Sequence, residues 1–144
     1  KACAEGKIKA LWLANIDPFA AIGDRALVEK ALEAVPFLVV QGTVDNEAAA
    51  YASVVLPACA PGEAEGTFTN IERRVQAFPQ SLTVDGDAKP GWKICSELIL
   101  RIEPGTPVFN SREALAELAA EAPAFAPALD GLPGPQDDEG VFLG

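Results

Sequence analysis

Two short apolar runs decide the fold: residues 8–15 (IKALWLAN) and residues 37–41 (FLVVQ). The first run ends before Pro18, which biases the residue preceding it toward extended geometry, so we predict a strand there. The second run is almost continuously apolar, which is typical of a strand covered on both faces of a parallel sheet. Between them, Asp24 can cap a helix over residues 25–35, whose apolar residues recur at helical spacing.

The alternation of strands and helices continues through a short helix predicted over residues 46–51 and a third strand over residues 53–56. A β-α-β-α-β order with short connections favours an α/β fold, here a three-layer Rossmann-like or flavodoxin-like domain with a small parallel sheet flanked by helices. We expect this domain to span residues 1–122. Residues 123–144 are acidic and rich in proline and glycine, and they are predicted to form an extended tail that becomes ordered on a partner.

The segment after the third strand is predicted to be a long ordered loop with one short strand over residues 74–78, followed by two helices. The first helix is predicted over residues 92–102, and the second over residues 111–121 with Ser111 as its N-cap. Cys95 lies among apolar residues of the first helix, so we expect it to be a small core residue.

The composition excludes several classes of function. The chain has no histidine, which removes imidazole acid–base catalysis and histidine-containing metal sites from it. Its net charge of −10 disfavours binding to nucleic-acid phosphates and to anionic membrane surfaces. Its 3 cysteines include no Cys-x-x-Cys pair, so the chain offers no local clamp for zinc or an iron–sulfur cluster. We therefore predict neither a catalytic residue nor a metal ligand within it.

Two segments are candidates for ligand contact. The turn at residues 14–18 (ANIDP) follows the first strand, at the sheet edge where open α/β folds bind ligands, although it lacks the Gly-x-Gly-x-x-Gly pattern of dinucleotide sites. Residues 63–76 (EAEGTFTNIERRVQ) form a polar loop in which Gly66 is expected to take a positive φ. Its glutamates are expected to pair with Arg73 and Arg74, and without a histidine or an evident nucleophile they are not expected to catalyse a reaction.

Three ordered blocks carry a resemblance to a known family. They are residues 46–57 (NEAAAYASVVLP), the pattern E-x-E-G-T-x-x-N-x-E-x-R-x-Q over residues 63–76, and residues 86–92 (GDAKPGW). In order, spacing and residue type these blocks resemble the molybdopterin oxidoreductase family. With the weaker first strand and turn, the resemblance covers residues 7–103.

The resemblance implies a segment that helps to hold a molybdenum bis(molybdopterin guanine dinucleotide) cofactor in catalytic members such as formate dehydrogenases and nitrate reductases. Family members usually have Gly-x-Asn-Pro after the first strand, often an acid after the second, an Asp in the first block and a Gly before the arginine of the loop. This chain has Ala14, Gly42, Ser53 and Arg73 there. Gly42 cannot supply a carboxylate that would accept two N–H hydrogen bonds from guanine. The Cβ of Ala14 restricts close approach of the backbone to a ligand.

The retained blocks and the altered turn are similar to the large iron–sulfur subunit of bacterial NADH-quinone oxidoreductase (respiratory complex I), which has this fold without the molybdenum cofactor. This resemblance implies a non-catalytic structural domain without a cofactor of its own, in a parent chain that carries iron–sulfur clusters elsewhere. Its partners would be the N-terminal part of that chain and other peripheral-arm subunits, with NADH and quinone reached only through the complex. It would lie on the cytoplasmic side of the inner membrane, without nucleic-acid binding or membrane insertion.

The alternative is a molybdopterin guanine dinucleotide-binding domain of a molybdoenzyme such as formate dehydrogenase. In that case the resemblance implies eight residues that contact the cofactor or its supporting loops: Asn15, Asp17, Thr43, Asp45, Glu65, Thr67, Asn70 and Arg74. An unrelated flavin-binding or response-regulator-like α/β domain fits the strand order but leaves the three blocks unexplained.

Overall fold

The structure is a computed structural model that describes residues 1–84, 86–106, 110–131 and 141–142. It divides into two compact units, Lys1–Ala58 and Cys59–Gly144. Each unit is described separately below, and a domain spanning residues 1–122 stays a prediction.

The first unit contains a parallel sheet with the strand order β1-β2-β3, formed by Ala10–Ala14, Phe37–Gly42 and Val54–Pro57. The three strands overlap the three apolar runs in the sequence, so the predicted α/β fold is confirmed. Ser53 fastens the start of β3 to β2, since its backbone N–H donates to the Leu38 carbonyl over 2.8 Å and its hydroxyl accepts from the Leu38 N–H over 3.2 Å. Ser53 therefore stabilises the pairing of β3 with β2.

Short helices connect the three strands. Helix α1 (Pro18–Ala21) and helix α2 (Arg25–Glu33) lie between β1 and β2, and a 3-10 helix (Glu47–Tyr51) lies between β2 and β3. Asp24 caps α2 as predicted, because its side chain accepts a hydrogen bond from the Leu27 N–H.

The core of the first unit lies on one face of this sheet. Apolar side chains of α2 pack there against the inward-facing residues of β2, and the fully buried Leu38 sits among them. On the opposite face Phe37 is 48% exposed and Val54 is 39% exposed. Since alternate residues of a strand point to opposite faces, Phe37 lies on the face of β2 away from this core. The cluster of buried residues comprises Val28, Leu32, Val35, Leu38, Val40 and Ala48.

The second unit contains an antiparallel sheet with the order β4-β5-β6, formed by Gly66–Thr69, Arg74–Phe78 and Val141–Phe142. Strand β5 was predicted at these residues, whereas β4 was not. The prediction for Gly66 is wrong, because its φ is not positive. Glycine is favoured there because a Cβ would lie 3.0 Å from the ring of Phe78, which would have to move.

Two longer helices follow in the second unit, α3 (Gly91–Ile102) and α4 (Ser111–Glu121). Both lie close to their predicted positions, but the N-cap of α4 is Asn110 and not Ser111. The Asn110 side chain accepts from the Glu113 N–H while the Glu113 carboxylate accepts from the Asn110 N–H, which is a complete capping box. Asn110 was missed because Asn and Ser are both good caps and stand side by side.

The expected extended tail is partly helical. A 3-10 helix (Pro123–Phe125) and helix α5 (Ala126–Gly131) follow α4, and Ala128 is fully buried beside Val75 and Leu115. The prediction of an extended segment is therefore wrong for these residues, where small apolar side chains outweigh the prolines. Residues 132–140, 143 and 144 of the expected tail lie outside the described part of the chain.

The expectation that Cys95 of helix α3 is a core residue is wrong. Cys95 is exposed, and so are Leu98 (38%), Ile99 (38%) and Ile102 (69%), whereas Ile94 and Ser96 are buried. Apolar neighbours at helical spacing indicate a common face, but they do not determine whether anything covers that face. Among the described residues, no helix combines the length and the apolar character needed to cross a bilayer.

Candidate functional site

A cleft of about 290 Å³ with polar and apolar lining residues lies in the first unit, in the loops that follow β1 and β2. Because β1 and β2 are parallel, their carboxyl ends meet at the same edge of the sheet, where open α/β folds bind ligands. Two segments line the cleft: Asn15, Ile16 and Asp17, and Gly42, Thr43, Val44, Asp45 and Asn46.

Asn15 turns the chain at the end of β1. Its φ is 53°, in the left-handed region that asparagine tolerates better than most residues, and its N–H donates to the Gln41 carbonyl over 2.8 Å. Asp17 then caps α1, since its side chain accepts from the Phe19 N–H over 2.9 Å. The turn is therefore held at both ends, by β2 on one side and by the cap of α1 on the other.

Gly42 ends β2 where the loop folds back on itself. A Cβ at this position would lie 3.3 Å from the Val44 carbonyl oxygen, which is closer than such contacts usually are. A larger residue at position 42 would need the Val44 carbonyl to move by a few tenths of an ångström, so the observed backbone favours glycine here.

The polar side chains of the cleft fall into two groups. Asp17 and Asn46 are helix caps, because Asn46 accepts from the Ala48 N–H over 3.0 Å. Asn15, Thr43 and Asp45 are exposed, and no side-chain hydrogen bond to them is present within the described residues. No lysine or arginine is among the described residues that line the cleft. The cleft therefore offers an amide, a hydroxyl and a carboxylate to a ligand, without a cation.

The other four predicted site residues lie in the second unit, in or beside the β4–β5 hairpin. Glu65 precedes β4 and accepts from the Ser111 hydroxyl over 2.6 Å, while Thr67 lies within β4. The Asn70 side chain accepts from the N–H groups of Glu72 and Arg74, each over 2.9 Å, and thereby closes the hairpin turn. Asn70 thus has a structural task, which the spacing of the motif did not reveal.

The hairpin turn also explains one departure from the family pattern. Arg73 has a φ of 63°, in the left-handed region, at the position where the family has glycine. The backbone of this turn therefore has a conformation that glycine adopts more easily than arginine. Of the glutamates expected to pair with Arg73 and Arg74, Glu63 accepts from the Ala60 N–H and Glu65 from Ser111.

Two buried polar atoms lie on the sheet face opposite the core of the first unit. The Trp12 Nε1 and the Gln41 Oε1 have no hydrogen-bond partner within the part of the chain that the structure describes, and Gln41 is only 3% exposed. Both side chains point to the same face, because the register pairs Trp12 with Val39 and Ala14 with Gln41. Buried polar atoms normally have a hydrogen-bond partner.

Cys59 provides no nucleophile. Burial raises the pKa of its thiol, and the nearby Glu63 carboxylate raises it further, so the thiol stays protonated at neutral pH. Across the ranges that the structure describes, no three His, Cys, Asp or Glu residues are close enough to hold a metal ion together.

Sequence reasoning identified half of the cleft. The structure brings the predicted residues Asn15, Asp17, Thr43 and Asp45 together around it. The lining residues that were not predicted are Ile16, Gly42, Val44 and Asn46. These residues could have been predicted from their position in the two loops that follow adjacent parallel strands, because such loops lie at the same sheet edge.

The cleft lies at the carboxyl edge of a parallel sheet, which is the edge where open α/β folds bind ligands. The chain belongs to the molybdopterin oxidoreductase family, whose pattern matches residues 1–101. This family is the one that the three sequence blocks indicated.

Two relatives are similar in sequence to most of this chain. The chain is 38% identical over 122 residues to the NADPH-Fe(3+) oxidoreductase subunit alpha of Geobacter sulfurreducens, covering 85% of this chain and 14% of the relative. It is 40% identical over 122 residues to the F420-dependent formate dehydrogenase 2 subunit alpha of Methanococcus maripaludis, covering 83% of this chain and 18% of the relative. The chain therefore spans less than a fifth of the length of these relatives.

Proposed function

We propose that this chain is the domain that binds the nucleotide end of a molybdopterin guanine dinucleotide cofactor in an oxidoreductase similar to formate dehydrogenases. The observation that carries the proposal is the cleft at the carboxyl ends of β1 and β2, which Asn15, Thr43 and Asp45 line with hydrogen-bonding side chains. When bound, the cofactor supplies the molybdenum centre at which substrate is oxidised. The residues of this chain bind and orient its nucleotide and take no part in bond making.

The chemistry of the cleft fits a nucleoside. Asn15 can both donate and accept hydrogen bonds, Thr43 offers a hydroxyl, and Asp45 offers two acceptor oxygens, which suits a base edge and ribose hydroxyls. A pyrophosphate fits less well, because the described lining residues include no cation to neutralise it. The cleft is therefore assigned to the base and ribose, and the rest of the cofactor to other parts of the parent protein.

The relatives support this proposal over a purely structural role. One of the two named above is described as a formate dehydrogenase subunit and the other as an NADPH-Fe(3+) oxidoreductase subunit. Both descriptions are of oxidoreductases, and the match extends over more than four fifths of this chain in each case. The proposal transfers to this chain the cofactor that its family is named for, and leaves the electron acceptor open.

A second candidate remains the structural domain of an NADH-quinone oxidoreductase subunit, with no cofactor in this domain. The observation that favours it is Gly42, which leaves the end of β2 without the acid that the family often has there. In that case the partners are the rest of the parent chain and the peripheral-arm subunits, at the cytoplasmic side of the inner membrane. The exposed face of α3, formed by Cys95, Leu98, Ile99 and Ile102, then belongs to such a contact.

Analysis of the full-length parent protein separates the two candidates. We expect the purified protein to contain molybdenum, to release GMP on acid hydrolysis, and to reduce an artificial electron acceptor with formate. In the same protein Thr43→Ala should lower the GMP content, whereas Thr83→Ala, an exposed threonine outside the cleft, should not. A parent protein with neither molybdenum nor GMP would overturn the proposal and favour the structural role.

A further inference from the structure

The two loops that line the cleft are connected by a side chain that is not part of the lining. Arg25, the first residue of α2, contacts Phe19 in the helix after the first loop and Glu47 in the helix after the second loop. We infer that Arg25 is a positioning residue, which sets the separation of the two loops and thereby the ligand affinity of the cleft. The statement about affinity rests on the proposed function.

The contact with Glu47 is an ion pair with two hydrogen bonds. The Arg25 guanidinium donates to both carboxylate oxygens of Glu47, over 3.3 Å from Nη1 to Oε1 and 2.5 Å from Nη2 to Oε2, and such pairing fixes the orientation of both groups. It raises the pKa of Arg25 and lowers the pKa of Glu47, so both are charged at neutral pH. Glu47 directly follows Asn46, which lines the cleft. The pair therefore attaches the second loop to the start of α2.

The contact with Phe19 attaches the first loop to the same guanidinium. The Arg25 guanidinium carbon lies 4.9 Å from the centroid of the Phe19 ring, within the range of a cation–π interaction. Phe19 is held next to the cleft, because its N–H donates to the side chain of the lining residue Asp17. The Phe19 ring also lies 6.2 Å from the Tyr51 ring of the 3-10 helix, centroid to centroid. One guanidinium therefore bridges the two helices that follow the loops.

The position of this bridge determines what it can affect. The pairing of β1 with β2 fixes the two loops only where they leave the sheet. Helix α1 has 4 residues and the 3-10 helix has 5, and helices this short depend on packing for their stability. The side chains of Arg25 and Glu47 are 60% and 59% exposed, so their pair adds little to the stability of the whole fold. We therefore expect the bridge to restrict opening of the cleft without changing global unfolding.

The test is Glu47→Gln in the full-length parent protein, with Glu29→Gln as the matched control. Glu29 also pairs with the Arg25 guanidinium, over 3.0 Å, but it lies within α2 and connects no second loop. We expect Glu47→Gln, freed of cofactor, to bind GMP about two- to fivefold more weakly than the wild type and to unfold at the same temperature at neutral pH. The amide hydrogens of Phe19 and Ala48 should exchange faster with solvent. Glu29→Gln should change none of these values.

Salt and a conservative variant distinguish positioning from a general structural defect. At about 1 M salt, where exposed charges are screened, the wild type and Glu47→Gln should bind GMP equally well, whereas a structural defect would persist. Arg25→Lys keeps the positive charge but not the planar fork, so it should retain more affinity than Arg25→Gln and less than the wild type.

The outcomes separate this inference from the proposed function. If the wild type binds GMP and Glu47→Gln binds it equally well, the bridge does not position the loops. An equal loss of affinity in Glu29→Gln, or a lower unfolding temperature in Glu47→Gln, also contradicts the inference. A wild type that neither carries nor binds GMP overturns the proposed function. Amide exchange then decides the inference by itself, and unchanged exchange at Phe19 and Ala48 in Glu47→Gln would overturn it.

Discussion

The interactions that stabilise the first unit differ from those that stabilise the second. In the first unit apolar residues of α2 and of the parallel strands form the core, around the fully buried Leu38. In the second unit the buried cluster is smaller, with Val75, Leu115 and Ala128. Side-chain hydrogen bonds add to it: the Ser111 hydroxyl donates to Glu65 and the Arg112 guanidinium donates to the Leu129 carbonyl over 3.0 Å.

The packing of the first unit, which contains the cleft, is therefore easier to predict from the sequence than the packing of the second unit. Burial of large side chains follows hydrophobic periodicity, which is visible in a sequence. Helix caps and isolated hydrogen bonds depend on which groups lie close together in the folded chain. Where two good capping residues are adjacent, the sequence alone does not decide which of them is the N-cap.

The largest effect is expected from Leu38→Ala. Its side chain is 0% exposed, so the substitution leaves a cavity and should lower the free energy of unfolding by about 2–5 kcal/mol. The corresponding change in the second unit, Val75→Ala, removes fewer atoms and should lower it by about 2 kcal/mol. Urea denaturation measures both values. The control Val55→Ala, at a residue that is 52% exposed, should cost less than about 1 kcal/mol. Equal losses for Leu38 and Val55 would contradict the proposed core.

A smaller effect of opposite sign is expected from Arg73→Gly. Arginine is strained at a φ of 63°, so glycine should raise the free energy of unfolding by up to about 1 kcal/mol. Asn15→Gly in the first unit, at a φ of 53°, should change it by only a few tenths, roughly, because asparagine tolerates this region. Ala77→Gly in strand β5 is the control and should destabilise by about 0.5–1 kcal/mol. A destabilising Arg73→Gly would show that its side chain contributes more than its backbone costs.

The smallest effect concerns pH. A hydrogen bond from Arg25 lowers the pKa of Glu47 in the first unit, and one from Lys89 lowers the pKa of Glu97 in the second. Because each folded pKa lies below its ordinary value of 4.5, each pair stabilises the fold above that pH, and the contribution is lost as the pH falls through the folded pKa.

Glu47→Gln and Glu97→Gln test these pairs. Each should leave the unfolding temperature nearly unchanged at neutral pH, because exposed ion pairs contribute little, and should reduce its decrease below pH 4.5. Thermal unfolding between pH 3 and pH 7 measures this (roughly the range over which carboxylates titrate). An unchanged acid response in both variants would mean that other carboxylates cause it, and high salt should diminish any difference.

The order of elements and the family could be predicted from residue patterns. Strands β1, β2 and β3 lie within a residue or two of the apolar runs, and three blocks of residues indicated the molybdopterin oxidoreductase family. Strand β4 was missed because its four residues, Gly66–Thr69, are mostly exposed and carry no alternation. The exposure of Cys95 was missed because periodicity defines a face of a helix but not what lies against it.

The candidate site was only partly predictable for the same reason. Asn15 and Asp45 are thirty positions apart in the chain, and only the parallel pairing of β1 with β2 brings their loops to one cleft. The sequence also showed that Gly42 lacks a carboxylate. It could not show that the Val44 carbonyl oxygen lies where a Cβ at position 42 would contact it.

The sequence by itself determined the α/β class and the family, because these follow from the local order of residue types. The tertiary structure alone decided which polar side chains are committed to the backbone and which are left for a ligand. The physical reason is that each donor or acceptor is satisfied by whatever group comes within about 3 Å of it, and that distance is set by the pairing of remote segments.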